Sequence, residues 1–309
     1  MTRDSAVKRL SSRLSTRALI HGGKLGKLSP AQSLLMHGVL IALSLPYLLP
    51  LIWMVSTSFK GDAQIFPHEG SGVSPVSLAN LIPHPLVPGN YPDALKTVPF
   101  GTYLKNTLFL CALNVFGAVL SSAIVAYGFA RLRFKGRELL FFLLLATIAL
   151  PAQVTMIPKF AMFSWLGWYG TFLPLFVPAF FGSPFFIFLM RQFFLTLPEE
   201  LAEAARIEGA SEWDILWRIV LPLSKPVLAT CALFQFLATW NDFFDPLLYI
   251  NDPSRYTLAY GLQQFMSSYD SKWAQLMAAS TMFILPIIIL FFLAQKTFIQ
   301  GIATTGSKG

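Results

Sequence analysis

Charge is what this chain has least of. Only 12% of its 309 residues are Asp, Glu, Lys or Arg, about half the share of a soluble domain, while 55% are hydrophobic. That balance excludes an ordinary soluble globule and points to a polytopic membrane protein with one membrane domain. The two cysteines, Cys111 and Cys231, lie inside apolar segments and exclude a disulfide framework or a cysteine metal site. His21, His37, His68 and His84 all fall in the first third without ligand spacing, so no metal site is expected. There is no serine-hydrolase elbow. Gly22–Lys27 (GGKLGK) glances at a phosphate loop, but its spacing is wrong and no Ser or Thr follows the lysine. A membrane-embedded enzyme would need clustered His, Asp or Glu at membrane depth, and these are missing. The net charge of +8 reads as a topology signal before it reads as nucleic-acid binding.

What is present is a series of long apolar segments. Residues 1–30 carry Arg3, Lys8, Arg9, Arg13, Arg17, Lys24 and Lys27 against Asp4. The apolar run that follows is too long for a signal peptide, which leaves an uncleaved cytoplasmic tail. A topology signal is a simpler role for it than binding anionic membrane lipid. Six spans are expected within 31–300: about Leu34–Ser56 with kinks at Pro46 and Pro50, Thr102–Ala130, Glu138–Pro158, Thr171–Leu195, Ser224–Ile250 and Trp273–Lys296. The fourth is broken by Pro174, Pro178 and the Gly182-Ser183-Pro184 triplet. Phe59–Phe100 is a Pro- and Gly-rich outer loop that forbids a long regular helix. Trp165, Trp168 and Tyr169 suit an outer interface belt, and Arg131, Arg133, Lys135 and Arg137 mark an inner loop. Both termini then face the cytoplasm, with 301–309 as a C-terminal tail.

One stretch cannot lie in hydrocarbon. Residues 197–222, LPEELAEAARIEGASEWDILWRIVLP, carry Glu199, Glu200, Glu203, Glu208, Glu212 and Asp214 against Arg206 and Arg218. Each central acid would cost about 2.5–3.5 kcal/mol at mid-membrane. A helical hairpin in water or at the interface is expected between spans four and five. Pro198 suits the first helical position. Gly209 suits a C-cap, and Ser211 with Asp214 resembles a capping box. Pro222 is expected to stop the second helix. Trp213, Trp217 and Val220 share an apolar stripe that suits a membrane surface.

Glu203-Ala204-Ala205, Gly209 and Ile219-x-Leu221-Pro222 stand in the register E-A-A-x-x-x-G-x(9)-I-x-L-P. This resembles the signature of membrane subunits of binding-protein-dependent ATP-binding-cassette importers. The flanking ARIEGAS and WRIVLPLSKP resemble the carbohydrate-uptake branch, and most closely the second permease of maltose-type transporters. The resemblance covers nearly the whole chain after the basic tail. It implies an all-α membrane protein whose hairpin is a coupling helix docking into a cytoplasmic ATPase. Ala204 and Ala205 would let a partner backbone approach, Glu203 would offer a carboxylate to a partner's arginine, and Gly209 would allow a sharp turn. It also implies the partners: a second permease, an ATPase dimer that binds ATP and magnesium, and an external solute-binding protein. The chain itself would carry no cofactor and no catalytic residue. The place implied is the inner membrane of a bacterial or archaeal cell.

A solute path needs polar groups at membrane depth. At about 1.5 Å per residue, Asn114 lies about 18 Å into the second span and Gln235 about 16 Å into the fifth, near the middle of a core about 30 Å thick. Each amide must face protein, water or solute. A path whose amides bind sugar hydroxyls and a plain interhelical hydrogen bond are both open. Asn241 and Asp242 fall near the outer surface, where their polarity needs no special role. Asp245 stands where the family often has tryptophan. The solute implied is a sugar or oligosaccharide. The alternative, a solute such as glycerol phosphate, would call for Arg or Lys in the path, and none is evident at mid-membrane.

Overall fold

The computed structural model describes residues 29–66, 78–266 and 272–306, with side chains placed for all but 78–79 and 296–306. Nearly all of the basic tail, His21, His68, the Gly22–Lys27 stretch and residues 307–309 lie outside the described residues. Every regular element among the described residues is helical. The chain divides into two compact units, Met1–Trp53 and Met54–Gly309.

Helix α1, Pro30–Thr57, carries Pro46 and Pro50 inside it and buries only Thr57. Leu34, Leu40, Ile41, Leu43 and Tyr47 are all exposed. Its last four residues belong to the second unit, which is described from here on.

That unit is built around one long helix. After α2 (Asn90–Thr97) comes α3, Phe100–Arg131, with 32 residues. One face of α3 carries Ala118, Ser122, Ala123, Ala126 and Ala130, all buried. Such small side chains let other helices approach closely where lipid supplies no hydrophobic drive. Near its C-terminal end, α3 packs with Phe186, Ile187, Met190 and Phe194 and with residues of the acidic hairpin. Near its other end, Tyr103 and Cys111 join a second cluster with Ala94, Trp240, Leu258, Ala278 and Ala279.

The third expected span is interrupted. Helix α4, Arg137–Ala146, passes through a 3-10 turn to Ala149, and α5, Ala152–Trp165, leaves at 97°. The cause is Pro151. It disfavours the helical region for the residue before it, and Leu150 is extended at φ −77°, ψ 116°. Nor does the helix stop at Pro158, which lies inside α5. The fourth stretch behaves as its sequence suggests. Short α6 (Leu173–Phe176) and a 3-10 turn (Val177–Phe181) break at Gly182, and α7, Pro184–Phe194, follows.

Beyond the hairpin helices α8 (Glu200–Ile207) and α9 (Glu212–Ile215), α10 runs from Lys225 to Trp240. The fifth span thus ends ten residues before Ile250, and Phe244–Tyr249 forms a separate short helix, α11. Helix α12 (Leu258–Gly261) precedes α13, Trp273–Gly306, which continues past the expected end at Lys296 into the segment expected to be a tail. Among the described residues, four stretches are long and apolar enough to cross a membrane, α1, α3, Leu173–Phe194 and α13, or up to six if the bent pairs Arg137–Trp165 and Glu212–Trp240 each count as one.

Candidate functional site

The acidic hairpin is built by local sequence chemistry. Helix α8 ends in a Schellman motif: the Ala210 amide donates to Ala205 O at 2.9 Å and the Gly209 amide to Arg206 O at 3.0 Å. Gly209 holds φ +85°, a region that costs other residues about 1–2 kcal/mol. A Cβ there would meet nothing within 4 Å, so the requirement is conformational and not steric. Helix α9 opens with a complete capping box. The Asp214 amide donates to Ser211 Oγ at 3.1 Å, and the Ser211 amide to Asp214 Oδ2 at 3.2 Å. Two expectations need correction. Pro198 precedes the N-cap, Glu199, and is not the first helical residue. Pro222 does not stop the second helix. It sits at the start of the short turn Leu221–Leu223, where a missing N–H is tolerated, and the chain bends by 80° about Ser224.

The apolar stripe also differs. Leu216–Val220 form a π turn, which shifts the helical register. Ile215, Leu216 and Val220 turn into the core beside Ala202, while Trp213 and Trp217 stay 58% and 49% exposed. Val220 therefore does not share a face with the tryptophans. Of the signature residues, Ala205, Ile219 and Leu221 are partly buried against this chain's own core, whereas Glu203, Ala204, Gly209 and Pro222 are exposed.

Two polar ties fasten the hairpin to α3. Arg131 Nη2 donates to Phe194 O at 2.6 Å and Leu197 O at 2.7 Å, gripping the hairpin's entry. One turn earlier, Tyr127 Oη donates to Glu212 Oε2 at 2.5 Å. Arg206 Nε donates to Glu212 Oε1 at 2.8 Å, closing one hairpin arm on the other. The Arg206 guanidinium, helped by the Tyr127 hydroxyl, holds the Glu212 carboxyl below the usual glutamate range, against an opposing desolvation effect. The Tyr127–Glu212 contact joins residues 85 apart in sequence, and no local pattern signals it.

Asn114 and Gln235 line one cavity of about 800 Å³. Asn114 is buried and its Nδ2 donates to Leu110 O and Leu175 O, both at 3.0 Å. Its amide is therefore an interhelical tie as well as cavity lining. Gln235 Nε2 donates to Thr239 Oγ1 at 3.2 Å. Asp242, expected near the outer surface without a special role, also lines this cavity, as does Asp245. So does Lys159 of α5, one residue past the expected end of the third span. Among the described residues, no group of His, Cys, Asp and Glu could hold a metal ion.

The model of the family described as "Binding-protein-dependent transport system inner membrane component" matches residues 118–304. The chain belongs to that family. Among curated relatives of this permease chain is the probable ABC transporter permease protein YurM of Bacillus subtilis (strain 168). It is 36% identical over 261 residues, covering 84% of this chain and 83% of the relative. The arabinooligosaccharides transport system permease protein AraQ of Halalkalibacterium halodurans is 36% identical over 210 residues, 68% of this chain and 75% of its own length. A bacterial ABC transporter involved in the import of the acidic polysaccharide alginate contains a chain that superposes with a TM-score of 0.73 at 26% identity. The match covers 87% of this permease and 98% of that chain.

Proposed function

We propose that this permease is one of two membrane subunits of an ATP-driven importer of a sugar or oligosaccharide, and that 197–222 is its coupling hairpin. Six spans cross the membrane in this reading, the third being the α4–α5 pair and the fifth α10. Both termini and the hairpin face the cytoplasm, in the inner membrane of a prokaryotic cell. A cytoplasmic ATPase dimer binds ATP and magnesium, an external binding protein delivers solute, and this subunit catalyses no covalent step.

The observation that carries the reading is the two-sidedness of the hairpin. Ala202, Ile215, Leu216 and Val220 are locked into the membrane unit's core, while Glu203, Ala204 and Gly209 are left exposed. An ATPase that moved the exposed side would move α3 and α7 with it, because packed cores shift as bodies and do not deform continuously. Closure of the ATPase on ATP then opens the membrane helices outward, and hydrolysis resets them. Solute passes the cavity lined by Asn114 and Gln235, whose volume lies within the range of about 300–1,000 Å³ usual for small-ligand sites. Phe163, Trp168 and Phe244 supply apolar faces beside these amides, a mixture suited to sugar rings. Lys159 is the only cation among the lining residues and shares the cavity with Asp242 and Asp245, which favours a sugar over a phosphate ester.

Gly209→Val, whose β-branched side chain does not tolerate the left-handed φ of this position, tests the reading. The permease should still insert and pair, yet solute uptake should fall at least tenfold, with the ATPase lost on co-purification or hydrolysing without transport. Wild-type uptake with a normally bound ATPase would overturn the assignment of the hairpin.

A further inference from the structure

The turn between α3 and α4 has a chemistry that the transport reading does not use. The helix ends at Arg131, Leu132 is extended, and Gly136 at φ +82° starts α4 with no side chain capping its first amides. A hollow of about 390 Å³ lies there, lined by Arg133, Phe134, Gly136, Arg137, Glu138 and Leu139. Its one carboxylate is already taken. Glu138 Oε1 lies 2.9 Å from Arg137 Nη2 and 3.5 Å from Arg191 Nη2. Arg191 is held in place by its bond to Phe129 O and by its guanidinium, 4.1 Å over the Phe141 ring. Arg133 and Lys135 are exposed and make no ion pair among the described residues. Four cations, Arg133, Lys135, Arg137 and Arg191, thus stand against one acid, an excess of three. The amide end of the ten-residue α4 adds its own positive potential.

The same turn is apolar on its flank. Phe134, Leu139 and Phe142 are 43%, 63% and 66% exposed. Because α3 and α4 both enter hydrocarbon, this turn sits at headgroup depth, with its cations beside the exposed apolar side chains of α4. We propose that this turn is a binding site for the headgroup of an anionic phospholipid. Arg133 and Lys135 hold the phosphate, and the acyl chains run down over Leu139 and Phe142. A soluble phosphate would satisfy the cations but leave the apolar flank without a role. The site needs only that α3 and α4 are membrane-embedded, not that the hairpin couples to an ATPase.

The test is native mass spectrometry of the purified full-length chain in detergent, supplied with phosphatidylglycerol or phosphatidylcholine of equal chain length. Phosphatidylglycerol should be retained about tenfold or more over phosphatidylcholine, as expected for two unpaired cations at a surface. Arg133→Gln with Lys135→Gln should abolish the preference. The swap Arg133→Lys with Lys135→Arg keeps the charge that directs topology and should preserve it, as should Lys96→Gln. If the neutral double variant fails to fold, the wild-type comparison of the two lipids still decides. Equal retention of the lipids, or an undiminished preference in a folded double variant, would overturn the site. So would displacement of phosphatidylglycerol by millimolar inorganic phosphate, which would mark a simple anion site.

Discussion

At the scale of single residues, the hairpin depends on groups whose requirements are of different kinds. Gly209 is needed for its backbone, since φ is +85° and no neighbour would touch a Cβ. Asparagine tolerates that region and valine does not. Gly209→Asn should therefore retain clearly more uptake than Gly209→Val, though both side chains have the same room. Equal loss would mean that bulk at the docking surface decides. Glu212 is needed for its charge. Its carboxyl is held below the usual range chiefly by Arg206, so its stabilising contribution is complete above the unfolded glutamate value and is lost as pH falls through the lower folded value. The melting temperature of the purified chain should be insensitive to this pair from pH 7 to about 5. Below that, Glu212→Gln should lose less stability with falling pH than the wild type. Parallel wild-type and variant curves down to about pH 3 would remove the ion pair from the account.

At the scale of elements, what could be read from the sequence was whatever is decided within a few residues. The Schellman glycine, the capping box at Ser211 and the break at Gly182 all follow from neighbours in the chain. The π turn at Leu216–Val220 was not legible, because its register is chosen by which side chains the core accepts, Ile215, Leu216 and Val220 in place of Trp213 and Trp217. The Pro151 break has a local signal in its proline, within an apolar run long enough to read as one span. Asn114 and Gln235 are legible from their depth along the spans, while Lys159 is not, because α5 runs on past Pro158. Tyr127 had no signal at all, being one polar tip on an apolar helix whose partner lies 85 residues on. Its role is testable. Tyr127→Phe keeps the ring in the core and deletes only the hydroxyl that reaches Glu212, a hydrogen bond to a charged group worth about 1.5–3 kcal/mol when buried. Glu212 is partly exposed, so the lower end applies. The variant should lose about 1.5 kcal/mol of stability and, more tellingly, should hydrolyse more ATP per solute transported, because the hairpin would slip against α3. A stability loss with an unchanged coupling ratio would reduce Tyr127 to a packing residue.

At the scale of the whole molecule, every functional inference about the hairpin depends on which side of the membrane it faces. In the proposed topology, charge chooses the side and the fold ties the hairpin to it. The cluster Arg131–Arg137 lies at the end of α3 from which α4 departs, and basic loops stay in the cytoplasm. The hairpin is fastened to that same end of α3 by Tyr127 and Arg131, so it shares whichever side the cluster takes. In the proposed six-span topology one span, α10, separates it from the turn Pro253–Arg255. Single cysteines at Glu208 and Ser254 should therefore report opposite sides. Both positions are exposed, and Glu208→Cys leaves the Ser211 capping box intact. The background needs Cys111 and Cys231 replaced by alanine; both are buried, so melting behaviour must be checked first. An impermeant maleimide added to intact cells should label Ser254→Cys at once and Glu208→Cys only after permeabilisation. Labelling of Glu208→Cys in intact cells would place the hairpin outside. No cytoplasmic ATPase could then reach Glu203 or Gly209, and the cation cluster tied to the same end of α3 would face the outer leaflet.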